Sequence, residues 1–110
     1  MGAARQPLAS LLGVAVAWTL WVYASESVDG RRMTGMWSRL STADSEAACE
    51  RKLREQVQAL LNALAPLGAS VDKGGEAVFY TEKGRGGRPV MKGLRYECLP
   101  DDVDPSGGGR

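Results

Sequence analysis

Two cysteines, Cys49 and Cys98, are the residues of this sequence best suited to covalent chemistry. An even number of cysteines in a short chain with an apparent export signal favours a single disulfide. Two buried free thiols, or one reactive thiolate, are the alternatives. A thiolate nucleophile is usually activated by a neighbouring base, most often histidine, and the chain contains no histidine. We therefore expect a disulfide between Cys49 and Cys98, and we assign no catalytic residue.

Three aspartates near the carboxyl end, Asp101, Asp102 and Asp104, form the densest group of oxygen ligands in the sequence. A calcium loop also requires a glycine at its turn and a more distant bidentate glutamate, and the spacing here provides neither. A solvated acidic segment is the more common use of such a group. We therefore predict no bound metal and no other cofactor.

The glycine-rich segment 83–87 (KGRGG), followed by Arg88, combines backbone amides with positive charge, which suits phosphate binding. Known phosphate-binding loops of this type open a helix, because the helix amino terminus stabilises the anion. This segment instead joins two apparent strands. We interpret it as a solvated hairpin tip.

The first part of the chain contains an uncharged run, residues 8–24, whose length lies near the lower limit of about 17 residues for a membrane-spanning helix. Arg5 precedes an apolar core, and Ala15-Val16-Ala17 matches the small-x-small pattern of a signal peptidase site. We expect residues 1–17 to be a cleaved signal peptide. An uncleaved anchor ending near Ala24 is the alternative.

From Trp18 onward the run changes character, because apolar and polar residues alternate with the period of a strand. Cleavage before Trp18 leaves 93 of the 110 residues, which suffices for one domain. We predict a single domain over 18–105 and a flexible tail over 106–110.

A pattern typical of one amphipathic helix extends from about Ala43 to Ala65. The segment 41–44 (STAD) resembles a helix start, and Pro66 and Gly68 are typical of a helix end. Its apolar face consists of Cys49, Leu53, Val57, Leu60, Leu61 and Leu64.

Strand patterns flank this helix, and Asp29-Gly30 marks a turn between the first two. In the last strand Leu94, Tyr96 and Cys98 share one face, so Cys98 is directed toward Cys49 on the helix. We therefore predict an α+β fold, in which a small antiparallel sheet of about four strands packs against one helix through one disulfide. The predicted strand segments are 18–23, 33–40, 76–82 and 88–99, with a further short strand at 69–71.

Four aromatic residues, Trp18, Trp21, Tyr23 and Trp37, are the candidates for a contact surface. Trp18 and Trp21 have opposite parity on one strand, so only one of them can face the helix. An exposed indole beside another aromatic ring forms a flat stacking surface, whereas burial in the core is the commoner use of such residues.

The chain combines the signal segment with the start 18–21 (WTLW), Trp37, the helix entry 42–49 and the closing stretch 98–105 (CLPDDVDP). In this combination it resembles a group of small uncharacterised exported bacterial proteins. It implies an exported domain with paired cysteines and implies no activity. The chain departs from the group after Pro105, where Ser106 and three glycines stand in place of a basic residue.

The formal net charge of +1 provides no long-range attraction to nucleic acid, so we predict no nucleic-acid partner. We expect an exported, non-enzymatic binding module, periplasmic or extracellular, that contacts an envelope component or another protein through an aromatic patch. A membrane-anchored accessory protein that retains the apolar segment is the alternative, and it alone would place the chain at a membrane. An enzyme is the third hypothesis, because scattered carboxylates can act as acids and bases.

Overall fold

The computed structural model of the protein describes residues 17–107, and within them all side chains except those of Arg32, Met33 and Arg85. The predicted signal peptide, up to residue 16, and the end of the predicted tail, residues 108–110, lie outside this range. The elements are β1 (Trp18–Val28), β2 (Arg31–Ala43), α1 (Glu46–Ala63), a 3-10 turn (Ala65–Leu67), β3 (Ser70–Val71), β4 (Ala77–Lys83), a second 3-10 turn (Arg85–Gly87) and β5 (Pro89–Pro100).

The strands form one antiparallel sheet in the order β2-β1-β5-β4-β3. β1 and β2 are joined at Asp29 and Gly30, whose φ angles of 54° and 79° are those of a tight hairpin turn. The predicted α+β class is therefore confirmed, with five strands rather than about four. The fifth is the two-residue β3, at the position of the short strand predicted over 69–71.

The core lies between α1 and one face of the sheet. Cys49, Leu53 and Val57 recur every four residues along the helix, so they point in one direction and are all buried. They pack against sheet residues of even number, namely Leu20, Val22, Val78 and Tyr96. This face of the sheet is called the helix side below, and the opposite face is called the open side.

The predicted start of the helix is wrong by several residues. Ser41 and Thr42 do not cap the helix, because residues 41–43 continue β2 and pair with the first three residues of β1. The cap is Ser45, whose hydroxyl accepts a hydrogen bond from the amide of Ala48 at 3.1 Å. The helix also ends at Ala63, two residues before the predicted end.

The disulfide between Cys49 and Cys98 is present, with 6.0 Å between the two Cα atoms. It joins the first turn of α1 to β5, at the position where Cys98 pairs with Leu20 of β1. The predicted pairing of the cysteines is confirmed. Pro89 begins β5, as expected for a residue that cannot donate to a strand ladder.

The two hairpins extend side by side beyond the helix. Their tips are joined by an ion pair of 3.2 Å between Arg88 and Asp29, both largely exposed. Such an exposed pair contributes at most about 1 kcal/mol. No helix formed by residues 17–107 has the length and apolar character needed to cross a membrane.

Candidate binding surface

The structure separates the four predicted contact residues between the two faces of the sheet. Trp18 lies on the helix side and packs against the core. Trp21 and Tyr23 lie on the open side, because their numbers are odd where those of the core residues of β1 are even. Trp37 pairs directly with Tyr23 and therefore shares its face.

Arg39 of β2 completes this group, because it pairs with Trp21 on the same side. Trp21, Tyr23, Trp37 and Arg39 thus form a block, two residues from each strand, called the open-face patch below. The rings of Tyr23 and Trp37 lie 5.0 Å apart between centroids at an angle of 52°. The Arg39 guanidinium carbon lies 5.2 Å from the centre of the Trp21 ring, which is cation-π distance.

The pairing of Arg39 with Trp21 depends on a β-bulge. The register between β1 and β2 shifts between Leu20 and Trp21, so Leu20 pairs with Ser41 and Trp21 pairs with Arg39. Leu40 is the extra residue of β2. Counting alternate residues along β2 therefore fails at this point, and the sequence carries no signal for the bulge. Arg39 is the member of the patch that sequence analysis missed.

Trp21 is deeply buried although it lies on the face without the helix. Only 6% of its surface is exposed, and it is not part of the core cluster under α1. Its indole Nε1 is also buried and has no hydrogen-bond partner among the described residues. An unpaired buried donor costs about 1–3 kcal/mol. The burial of Trp21 therefore includes this unfavourable contribution to stability.

Tyr23 and Trp37 are half-buried, so each ring presents part of its surface to solvent. A side chain at Gly35, two residues before Trp37, would overlap the ring of Tyr23. Glycine is therefore required at this position of β2, because the tyrosine ring lies across its backbone.

The end of the patch near Trp18 is closed by the segment after β5. The Thr19 hydroxyl, almost fully buried, donates a 2.7 Å hydrogen bond to the Asp101 carboxylate. The Asp101 amide donates to the carbonyl of Ala17 at 2.8 Å.

Asp104 accepts hydrogen bonds from Ser106. Two of the three clustered aspartates therefore serve local structure, and no group of three or more His, Cys, Asp or Glu within residues 17–107 is arranged to hold a metal ion.

A concavity of about 360 Å³ lies on the helix side of the sheet, where the hairpins extend past α1. The Lys92 ammonium within it is 2.6 Å from a Glu82 oxygen and 3.7 Å from a Glu26 oxygen. The hydrogen bond to Glu82 raises the pKa of Lys92 above its usual value of 10.5. Lys92 is therefore protonated at neutral pH and lacks the free electron pair of a nucleophilic amine. The apolar lining includes Met36, Tyr80 and Leu94.

The predicted hairpin tip at 83–88 is a turn containing Arg85–Gly87, and it opens into a strand rather than a helix. Its glycine amides are therefore not backed by a helix dipole of the kind found in phosphate loops.

Comparisons of the chain with protein-family models, with curated proteins and with solved structures find no match. The resemblance to small exported bacterial proteins therefore stays a prediction, and the open-face patch is the feature of this chain that points to a function.

Proposed function

We propose that this protein is an exported, non-enzymatic binding module that contacts another protein or an envelope component through the open-face patch. The observation that carries the proposal is the juxtaposition of the Tyr23–Trp37 ring pair with the Trp21–Arg39 pair on the face that α1 leaves uncovered. Tryptophan, tyrosine and arginine are the residue types most enriched at the energetic centres of protein interfaces.

The arrangement suits binding because its members combine rigid apolar area with polar groups. Aromatic rings bury a large area while losing little conformational freedom. Arg39 adds a permanent positive charge and the N–H donors of its guanidinium. A partner that carries acidic groups beside apolar ones would match both features.

Export is supported by two features of the fold. The disulfide is compatible with an oxidising compartment. β1 begins at Trp18, and its first residues are already paired on both sides, with β2 and with β5. A spanning helix over residues 8–24 would remove residues 18–24 from the centre of the sheet. A cleaved signal peptide ending at Ala17 leaves β1 whole, so the proposal favours it over the anchor.

The experiment that tests the binding proposal uses site-specific photocrosslinking in the native host compartment. A photoreactive phenylalanine analogue replaces Trp37, and a control protein carries it at Gln58, on the exposed face of α1. We expect a discrete crosslinked product from position 37 and none from position 58. Identical products from both positions, or none from position 37, would contradict the proposal.

The three indole N–H resonances provide an internal control in solution. When the crosslinked partner is added to isotopically labelled protein, the resonances of Trp21 and Trp37 should shift. The resonance of Trp18, which packs on the helix side, should stay in place. Equal shifts of all three would indicate a change of the whole fold rather than binding at the patch.

A further inference from the structure

β2 forms one edge of the sheet, and within residues 17–107 it pairs with β1 alone. It is 13 residues long, well above the usual five or six. An edge strand presents a row of backbone donors and acceptors to which another extended chain can add. The opposite edge is divided between the two-residue β3 and the part of β4 that extends past it, so it offers no single strand of comparable length.

The middle of β2 is the part suited to pairing. Its register with β1 shifts near Leu40 and again near Met33, and bulges of this kind twist a strand edge away from a partner. Between the two shifts, residues Thr34 to Arg39 pair regularly with β1. A chain added there would find about six residues in a uniform ladder.

The two faces of this middle segment differ in chemistry. On the open side, Trp37 and Arg39 form the outer half of the open-face patch. On the helix side lies Met36, which is 69% exposed, the highest value among the large hydrophobic side chains that the structure describes. An added strand would place alternate side chains beside Arg39 on one face and beside Met36 on the other.

The charge of β2 selects the partner. The strand contains three arginines, Arg31, Arg32 and Arg39, and neither aspartate nor glutamate. Pairing with β2 of a second copy would therefore bring six arginines onto two adjacent strands and would give none of them an acidic partner. Opposite charges on neighbouring strands stabilise the pair.

We infer that β2 is a docking edge for an extended acidic segment of another protein, in which acidic and apolar residues alternate. The acidic side chains lie on the open side, where they pair with the exposed Arg39 of the open-face patch. The apolar side chains lie on the helix side against Met36. This inference rests on the proposed function, because it names the partner class and the binding mode of the same patch.

The test uses capped eight-residue peptides and the oxidised domain beginning at Trp18. The first peptide alternates Glu and Val, the second alternates Lys and Val, and two others repeat the first with every Val or every Glu amide N-methylated. Affinity is measured by titration, and amide hydrogen exchange is followed by NMR for residues 34–39. We expect the Glu-Val peptide to bind and to slow alternate β2 amides at least tenfold.

Four comparisons decide the outcome. The Lys-Val peptide and one of the two N-methylated peptides should bind at least tenfold more weakly than the Glu-Val peptide. Arg39→Glu should weaken Glu-Val binding about tenfold, because it turns an attractive cross-strand pair into a repulsive one. Arg51→Glu, on the exposed face of α1, changes the net charge of the domain by the same amount as Arg39→Glu. It should leave the affinity for the Glu-Val peptide unchanged.

Equal affinities for the Glu-Val and Lys-Val peptides, failure of the Glu-Val peptide to bind, or binding without protection of β2 amides would overturn the inference. Concentration-dependent dimerisation of the domain that protects the same amides would also overturn it, in favour of a second copy. Photocrosslinking from position 37 is independent of these peptides. If the Glu-Val peptide does not protect the β2 amides but position 37 still crosslinks to a partner, the docking edge is rejected and the proposed function is retained.

Discussion

Removal of the disulfide tests how the fold is held together. Cys49 and Cys98 are separated by 49 positions, and their bond closes a loop that contains nearly all of α1, β3, β4 and β5. In the chain-entropy model a loop of this length stabilises the folded state by about 4 kcal/mol. The total stability of a small domain is about 5–15 kcal/mol. We therefore expect the Cys49→Ala, Cys98→Ala double variant to be folded but marginal.

The assay is urea unfolding of the domain beginning at Trp18, followed by tryptophan fluorescence. The free energy of unfolding should fall by about 4 kcal/mol in the double variant. The denaturant dependence should become steeper, because an unfolded chain without the crosslink exposes more surface. The melting temperature should fall by roughly 15–30 °C, on the scale of about 4–8 °C per kcal/mol for a domain of this size.

Two controls separate the crosslink from the packing of the sulfur atoms. The double variant should give the same curve with and without reductant, and reduction of the unmodified protein should reproduce most of its loss. A loss below about 1 kcal/mol would refute the argument, since the loop entropy would then be unimportant. If the free energy of unfolding falls by the full amount but its denaturant dependence is unchanged, the loss comes from a cavity around Cys49 and not from the unfolded chain. Cys49 is completely buried, so such a cavity would form in the core.

Three further predictions concern single side chains. Trp21→Ala should lower the free energy of unfolding in urea by about 3 kcal/mol or more, because the side chain is buried. Trp37→Ala, at a half-buried position, should lower it by less than about 2 kcal/mol. The reverse order would contradict the burial of Trp21. The hydrogen bond from the Ala77 amide lowers the pKa of Asp72 below 3.8, so its contribution to stability should be present above about pH 4 and lost as pH falls through the folded pKa. The stability difference between the native protein and Asp72→Ala should therefore shrink in acid, and a difference independent of pH would argue against this role. Burial raises the pKa of Tyr96 above 10.0, so stability should fall as pH rises past 10, and Tyr96→Phe should flatten that loss in alkaline unfolding curves.

Local patterns predicted those parts of the fold that local chemistry determines. The turn at Asp29-Gly30 requires two residues that tolerate positive φ, and the sequence provides them. The face of α1 follows from apolar residues every three or four positions, and the direction of Cys98 follows from strand alternation. Each of these features depends on residues that are close in sequence.

The helix start shows where local patterns stop being sufficient. Residues 41–44 satisfy the preferences of a helix cap and also fit a strand, and nothing within them decides between the two. The decision is tertiary, because β1 offers Trp18, Thr19 and Leu20 as pairing partners. Residues 41–43 therefore extend β2, and Ser45 caps the helix instead.

The candidate site shows the same limit more sharply. Parity along β1 correctly separates Trp18 from Trp21, but it gives no information about what covers Trp21. Arg39 covers part of the Trp21 ring. Arg39 pairs with Trp21 because of the bulge in β2 opposite Leu20 and Trp21. A bulge shifts every later residue of a strand to the other face, so strand order and register are needed before the patch can be assembled.

The position of β1 connects the core, the open-face patch and the predicted site of signal cleavage. As the central strand it contributes Leu20 and Val22 to the core under the helix and Trp21 and Tyr23 to the open-face patch. Its first residue directly follows the predicted peptidase site. Cleavage even three residues later would remove Thr19 and Leu20, both almost completely buried, and with them the hydrogen bond to Asp101. Signal cleavage at or before Trp18 would therefore leave the core and the patch complete, whereas cleavage a few residues later would not.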